Sequence, residues 1–328
     1  MTGGAGSLVS AEELSEHLDS AIILDASVKR FVDDDGQTVF APGDEVFREA
    51  HIPGACFADL FAAFSDPDSP VAFTRPTADQ MAATAERLGF TQTDHIVVYD
   101  QLSGAYAARV WLVLRSYGFD RARVLDGGFA RWTGLGLPVA TGDERHGASR
   151  EPAGVEVHDI SGTRPAFADL TEVYEVACDE QSSTTLVCAL REPDYTGGES
   201  GGERPGHIPG SLNVPFPDLL DDDGTFSAER TRSALRARGG IDAESDVIVY
   251  CGGGINAAGA ALAFVEAGLP LPPRLRRIAE RVADATGSPA RDRRTSPPVR
   301  SAVVDTLCKD DPGSVLPALH DPREGDHR

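Results

Sequence analysis

Short, continuously apolar runs alternate along this chain with longer segments of helical composition, and that alternation predicts an α/β fold. In the first half, Ala21-Ile22-Ile23-Leu24-Asp25, Ile96 to Tyr99 and Arg123-Val124-Leu125 read as strands, with helices over Thr77 to Leu88 and Arg109 to Ser116. The second half begins with a strand over Val155 to Ile160. A helix near Leu170 to Ala177 and a strand over Thr185 to Leu190 follow, then the apolar run Val247-Ile248-Val249-Tyr250. Ala257 to Phe264 is Ala-rich and reads as a helix. Mainly parallel sheets flanked by helices are expected. At 328 residues the chain holds about two domains, each long enough to bury a core.

Between the last apolar run and the Ala-rich helix stand Cys251-Gly252-Gly253-Gly254-Ile255-Asn256. In a tight strand-to-helix turn of this composition, consecutive backbone N–H groups can face one point, because glycine removes side-chain obstruction and tolerates positive φ. Those N–H groups and the positive end of the following helix favour an anion, and the anion at hand is the thiolate of Cys251. Cys251 is therefore the expected nucleophile. Cys56, Cys178, Cys188 and Cys308 lack this setting and are read as structural or incidental. Five cysteines with no CxxC pair and no His-rich spacing indicate neither a disulfide framework nor a metal site. Position 257 is Ala, where a cysteine phosphatase would need its phosphate-gripping Arg, and no resolving cysteine is apparent near Cys251 in sequence, which argues against a redox thiol.

The segment Tyr250-Cys251-Gly252-Gly253-Gly254-Ile255-Asn256-Ala257 resembles the active-site loop of the rhodanese-like sulfurtransferases, and Pro205-Gly206-His207-Ile208-Pro209-Gly210-Ser211 matches that family's Gly-His-Ile-Pro-Gly-Ala signature. The signature recurs as Glu49-Ala50-His51-Ile52-Pro53-Gly54-Ala55, with His51 lying 156 positions before His207. His95-Ile96-Val97-Val98-Tyr99-Asp100 parallels Asp246 to Cys251, and Asp126-Gly127-Gly128-Phe129-Ala130-Arg131-Trp132 matches the family's closing turn and helix. Two copies in one order identify the chain as a tandem member of the family. The expected division is a rhodanese-like domain over 8–140, a linker over about 141–154, and a second rhodanese-like domain over 155–270. His51, Ile52, Pro53 and His207 are read as structural turns.

Asp100 occupies in the first copy the place of Cys251, so the first domain is expected to be catalytically silent and to support the second by packing. The resemblance implies double displacement, in which the Cys251 thiolate takes the outer sulfur of a donor, becomes a persulfide and passes the sulfur to an acceptor. Loop amides from Gly252, Gly253, Gly254, Ile255, Asn256 and Ala257 would stabilise both anions. Asn256 stands where the family often has Thr or Ser, and either hydrogen-bonds within the loop or caps the helix. Arg191 is the expected donor-binding cation and Arg204 a second candidate. Thiosulfate-type members carry basic residues after the cysteine and mercaptopyruvate-type members a serine two places on. This chain has Gly252 and Gly253. Thiosulfate or a related donor is favoured, with 3-mercaptopyruvate as the alternative, and a non-catalytic binding module or pseudoenzyme as the third reading. The acceptor is cyanide or a thiol, thioredoxin included, and no cofactor is implied.

A net charge of −22 argues against nucleic acid as a partner and means that an anionic donor needs local cations. No membrane-length apolar run and no signal peptide are present, so a cytoplasmic protein is expected. Charge also separates the tail: 271–328 holds 11 Lys/Arg and 9 Asp/Glu, leaving −24 for the rest. Where the family ends in a Tyr-Asp-Gly-Ser-Leu-x-Glu-Trp pattern, Leu275 to Ala283 can be encoded by codons that spell such a string one base later. A frameshift between about Ala267 and Arg274, or a disordered basic extension, is the expectation for this tail.

Overall fold

The computed structural model describes residues 6–34, 36, 38–69, 71–142, 167–168, 170–179, 181–198 and 206–269. The linker, the strand expected over 155–160, Arg204 and the tail after 270 lie outside the described residues. The first module runs β1 (Leu8–Val9), α1 (Ala11–Ser15), β2 (Ile22–Asp25), β3 (Val28–Val32), β4 (Thr38–Pro42), α2 (Asp44–Glu49), β5 (Cys56–Phe57), α3 (Ala78–Leu88), β6 (Ile96–Tyr99), α4 (Ala105–Ser116), β7 (Ala122–Leu125) and α5 (Gly128–Gly134). The second runs α6 (Leu170–Cys178), β8 (Thr184–Cys188), α7 (Glu192–Tyr195), β9 (Leu212–Asn213), α8 (Ala228–Gly239), β10 (Asp246–Tyr250) and α9 (Ile255–Glu266).

The first sheet has the order β1-β7-β6-β2-β5 and is parallel throughout. Its central strand β6 is buried on both faces, as its unbroken apolar run requires. Among the described residues the second sheet has the order β10-β8-β9, also parallel. That is the β6-β2-β5 half of the first sheet repeated, and the register repeats with it: Asp25 stands opposite Tyr99, and Cys188 opposite Tyr250.

Local chemistry explains the element ends. Thr77 caps α3 in a full capping box with Gln80, and Gly89 closes that helix at φ 78°. Two helices are longer than their sequence patterns suggest, since α4 begins at Ala105 and α9 spans Ile255–Glu266. The antiparallel β3–β4 pair was not foreseen, because its strands are exposed and carry Lys29, Arg30, Phe31 and Val32 in place of an apolar face.

The two modules share a core. Helix α4 packs against α9, and buried residues of both helices belong to one continuous apolar cluster that includes Trp111, Val249 and Phe264. Gly259 in α9 permits the close approach of Phe216, since a β-carbon there would lie 2.6 Å from the ring. Polar contacts fasten the rim: the Phe226 N–H donates to Asp126 Oδ1 at 2.8 Å, and the Ser7 N–H to Glu266 Oε1 at 2.7 Å.

Candidate functional site

Cys251 follows β10 directly and is only 8% exposed. Gly254, at φ 78°, ends the loop and caps α9, a conformation that side-chain-bearing residues adopt with strain. Its N–H donates to Cys251 Sγ at 3.1 Å. Gly252 and Gly253 do not adopt positive φ, so conformation demands glycine at one of the three positions. Gly252 faces open space.

Two opposing effects act on the thiol. Burial raises its pKa and is the larger; the N–H groups of Ala257, Gly254, Gly253 and Asn256 act in the other direction. The amides of these four residues act on the sulfur, and removal from water outweighs them. Burial thus favours the neutral form of the Cys251 thiol. Asn256 is the second residue inside α9, so the cap alternative for its side chain is overturned; Gly254 holds that position.

The corresponding place in the first module is an occupied anion cradle. Asp100 accepts the N–H of Leu102 at 2.8 Å and of Gly104 at 3.0 Å through Oδ1, and of Ala107 at 2.9 Å through Oδ2. Gly104, at φ 78°, caps α4 as Gly254 caps α9.

The His-Ile-Pro-Gly turns are fastened alike. The Tyr99 hydroxyl accepts the Ile52 N–H at 3.0 Å, and the Tyr250 hydroxyl accepts the Ile208 N–H at 2.8 Å. His51 Nδ1 bonds to the Phe47 carbonyl and the ring stacks on Phe47; His207 Nδ1 bonds to the Tyr195 carbonyl and the ring stacks on Tyr195. Both histidines are engaged as structural turns.

The rhodanese-like domain model matches residues 10–135 and again 179–276. The chain is 32% identical over 231 residues to the human 3-mercaptopyruvate sulfurtransferase, covering 69% of this chain and 75% of the relative. It is 30% identical over 226 residues to the thiosulfate sulfurtransferase of Mus musculus, covering 68% and 74%. Among solved structures it superimposes on SseA from Escherichia coli, a 3-mercaptopyruvate sulfotransferase of the rhodanese fold, with a TM-score of 0.67 and 27% identity over 84% of this chain and 98% of that one. The chain belongs to the rhodanese family of sulfurtransferases.

Within this rhodanese, the first module reaches the Cys251 loop. Phe73 is a non-glycine residue at φ 62°, a strained value held in place by the buried Arg109, whose Nη2 donates to the Phe73 carbonyl. The Phe73 ring edge lies 3.5 Å from where a Gly253 β-carbon would stand. Tyr106, in the first turn of α4, is nearly buried. Its phenol is raised first by that burial, then by the charges of Asp100 and Cys251, while Arg30 lowers it. Neither residue was found from sequence, since both come from the copy without the cysteine and their pairing with Cys251 is created by the α4–α9 contact.

Arg191 lies just beyond β8, at the sheet edge where Cys251 follows β10. Its side chain is 60% exposed and forms an ion pair with Asp194 at 3.2 Å. Cys188, opposite Tyr250 in the neighbouring strand, is fully buried, and burial pushes its thiol up to about 11. It packs in the cluster of Ile208, Ile248 and Tyr250, whereas Cys251 belongs to the cluster shared with α4, so the two thiols occupy different cores. Among the described residues no group of three or more His, Cys, Asp or Glu side chains could hold a metal, and no helix is long and apolar enough to cross a membrane.

Proposed function

We propose that this rhodanese transfers a sulfane sulfur from thiosulfate, or a related donor, to cyanide or a thiol through a persulfide on Cys251. The observation carrying the reading is the buried sulfur of Cys251 accepting the Gly254 N–H at 3.1 Å at the start of α9, beside an otherwise open Gly252–Gly253 edge. The thiol first loses its proton to solvent. The thiolate then attacks the outer sulfur of thiosulfate, the S–S bond breaks, and sulfite leaves with the bonding pair. An acceptor nucleophile next attacks the outer persulfide sulfur, and the Cys251 thiolate departs into the same amides. With cyanide the product is thiocyanate. The cradle acts by holding charge on sulfur where burial disfavours it, so its contribution is realised as charge develops.

3-Mercaptopyruvate is the second reading, favoured by the names of the human relative and of SseA. Gly253 is the observation on the other side, because it removes the serine that a mercaptopyruvate loop carries. Arg191 is proposed as the donor cation of the second module. The first module is proposed to be silent in sulfur transfer and the protein to act in the cytoplasm; a non-catalytic module remains the outcome if no transfer is found. Thiocyanate formation from each donor, with Cys251→Ser as control, tests the assignment. One sulfur atom should be added to the Cys251 peptide after donor treatment, and activity surviving Cys251→Ser removes the reading. The frameshift proposal for 271–328 is tested by sequencing the gene, and it falls if the neighbouring frame lacks the Tyr-Asp-Gly-Ser codons.

A further inference from the structure

A chain with a net charge of −22 must still admit an anion to a buried thiol, so the cations near Cys251 decide what can approach. Arg109 is fully buried and holds the Phe73 carbonyl. Arg191 is paired with Asp194. A third cation, like Arg109, comes from the first module.

In the β3–β4 pair, Arg30 stands directly opposite Phe40, and opposed residues in an antiparallel pair share a face. The Phe40 ring packs on Tyr106 with centroids 6.0 Å apart, which turns that face toward the first turn of α4. The Tyr106 phenol in turn registers the charges of both Arg30 and Cys251. Arg30 is exposed and, among the described residues, forms no salt bridge. Asp100, whose charge also acts on the Tyr106 phenol, is held by three amides of its own loop.

We propose that Arg30, carried by the exposed hairpin of the first module, binds the anionic end of the sulfur donor at the mouth of the Cys251 cradle and thereby sets a preference for charged donors. The identity of the ligand rests on the sulfurtransferase reading; the placement of the cation does not. The copy that lacks the cysteine then supplies donor recognition to the copy that has it. Guanidinium suits this task because it presents several N–H donors to thiosulfate oxygens or to a carboxylate.

Two alkylating reagents of similar size separate charge recognition from general damage: anionic iodoacetate and neutral iodoacetamide. Rates at the Cys251 peptide are followed by mass spectrometry on the full chain. In Arg30→Ala the iodoacetate rate should fall roughly tenfold, the loss of one charge-assisted contact, while the iodoacetamide rate is unchanged. Arg30→Lys should keep most of the iodoacetate rate and Arg30→Glu should lose more than Arg30→Ala. KM for thiosulfate should rise by a similar factor with kcat held. Unchanged rates for both reagents in Arg30→Ala, or an equal fall in both, overturn the proposal. If the protein transfers no sulfur yet iodoacetate discrimination follows Arg30, the functional reading fails and the anion subsite stands.

Discussion

Four positions separate Asp100 from the glycine that opens α4, and three separate Cys251 from the one that opens α9. Both loops follow a parallel strand whose last residue is a buried tyrosine, and both gather amides onto the side chain that comes next. The extra residue and the two carboxylate oxygens let Asp100 accept three N–H groups at 2.8 to 3.0 Å. Cys251 offers one sulfur atom, held by a single contact of 3.1 Å with further amides around it. The cradle is therefore built for negative charge rather than for sulfur. In one copy a side-chain carboxylate fills it, and in the other a buried thiol sits there, its neutral form favoured by burial and its charged form by the amides.

Exchanging the two residues tests this contrast most severely. Cys251→Asp should abolish sulfur transfer, and adding Asp100→Cys to it should restore none, because the first loop has a different length and Phe73 lies against the second. Thiocyanate formation reads both; any persulfide found on residue 100 breaks the contrast. Next in size, Asp100→Ala strands three amides and should destabilise the protein by roughly 2–4 kcal/mol in urea unfolding. A change within error would mean that the internal anion contributes nothing.

The pH profile sharpens the comparison from the sulfur side. Burial raises the Cys251 pKa, so folding favours the neutral thiol, and that stabilisation is present below the ordinary thiol value and is lost as pH rises through the folded one. The thiolate fraction, and with it the rate of alkylation by iodoacetamide at Cys251, should still be climbing above about pH 8.5. A plateau near neutrality would show that the amides win over burial. The smallest effect expected is from Gly253→Ser. Position 253 has no positive φ and its new β-carbon would meet Phe73 at an ordinary 3.5 Å, so the fold should hold. The ratio of mercaptopyruvate to thiosulfate turnover should rise a few-fold, and an unchanged ratio would remove Gly253 from the donor argument.

Much of this was legible in the chain itself. Runs such as Ile96 to Tyr99 and Val247 to Tyr250 announce parallel strands because both faces are buried, and Cys251 before Gly252-Gly253-Gly254 announces a strand-to-helix turn. What escaped has physical reasons. The β3–β4 hairpin is exposed, so no apolar alternation marks it. The helix α8 at Ala228–Gly239 is polar over most of its surface, burying Thr231 and Leu235, and leaves little pattern to read. Phe73 and Tyr106 lie more than 140 positions from Cys251 and belong to the other copy, so their place beside its loop depends on how the two copies pack. The ionisation of Cys251 depends on the depth of its burial, which no local motif records.

The phenols of Tyr99 and Tyr250 each pin a His-Ile-Pro-Gly bend through one backbone N–H. That bend is thus a clasp of the architecture, present in both copies although only one is followed by a cysteine. Among the described residues such clasps number two, whereas a cysteine that accepts a loop amide at the start of a helix occurs once, at Cys251. Working centres in tandem proteins of this kind are better enumerated by the atom that receives the amides than by the most recognisable string of letters.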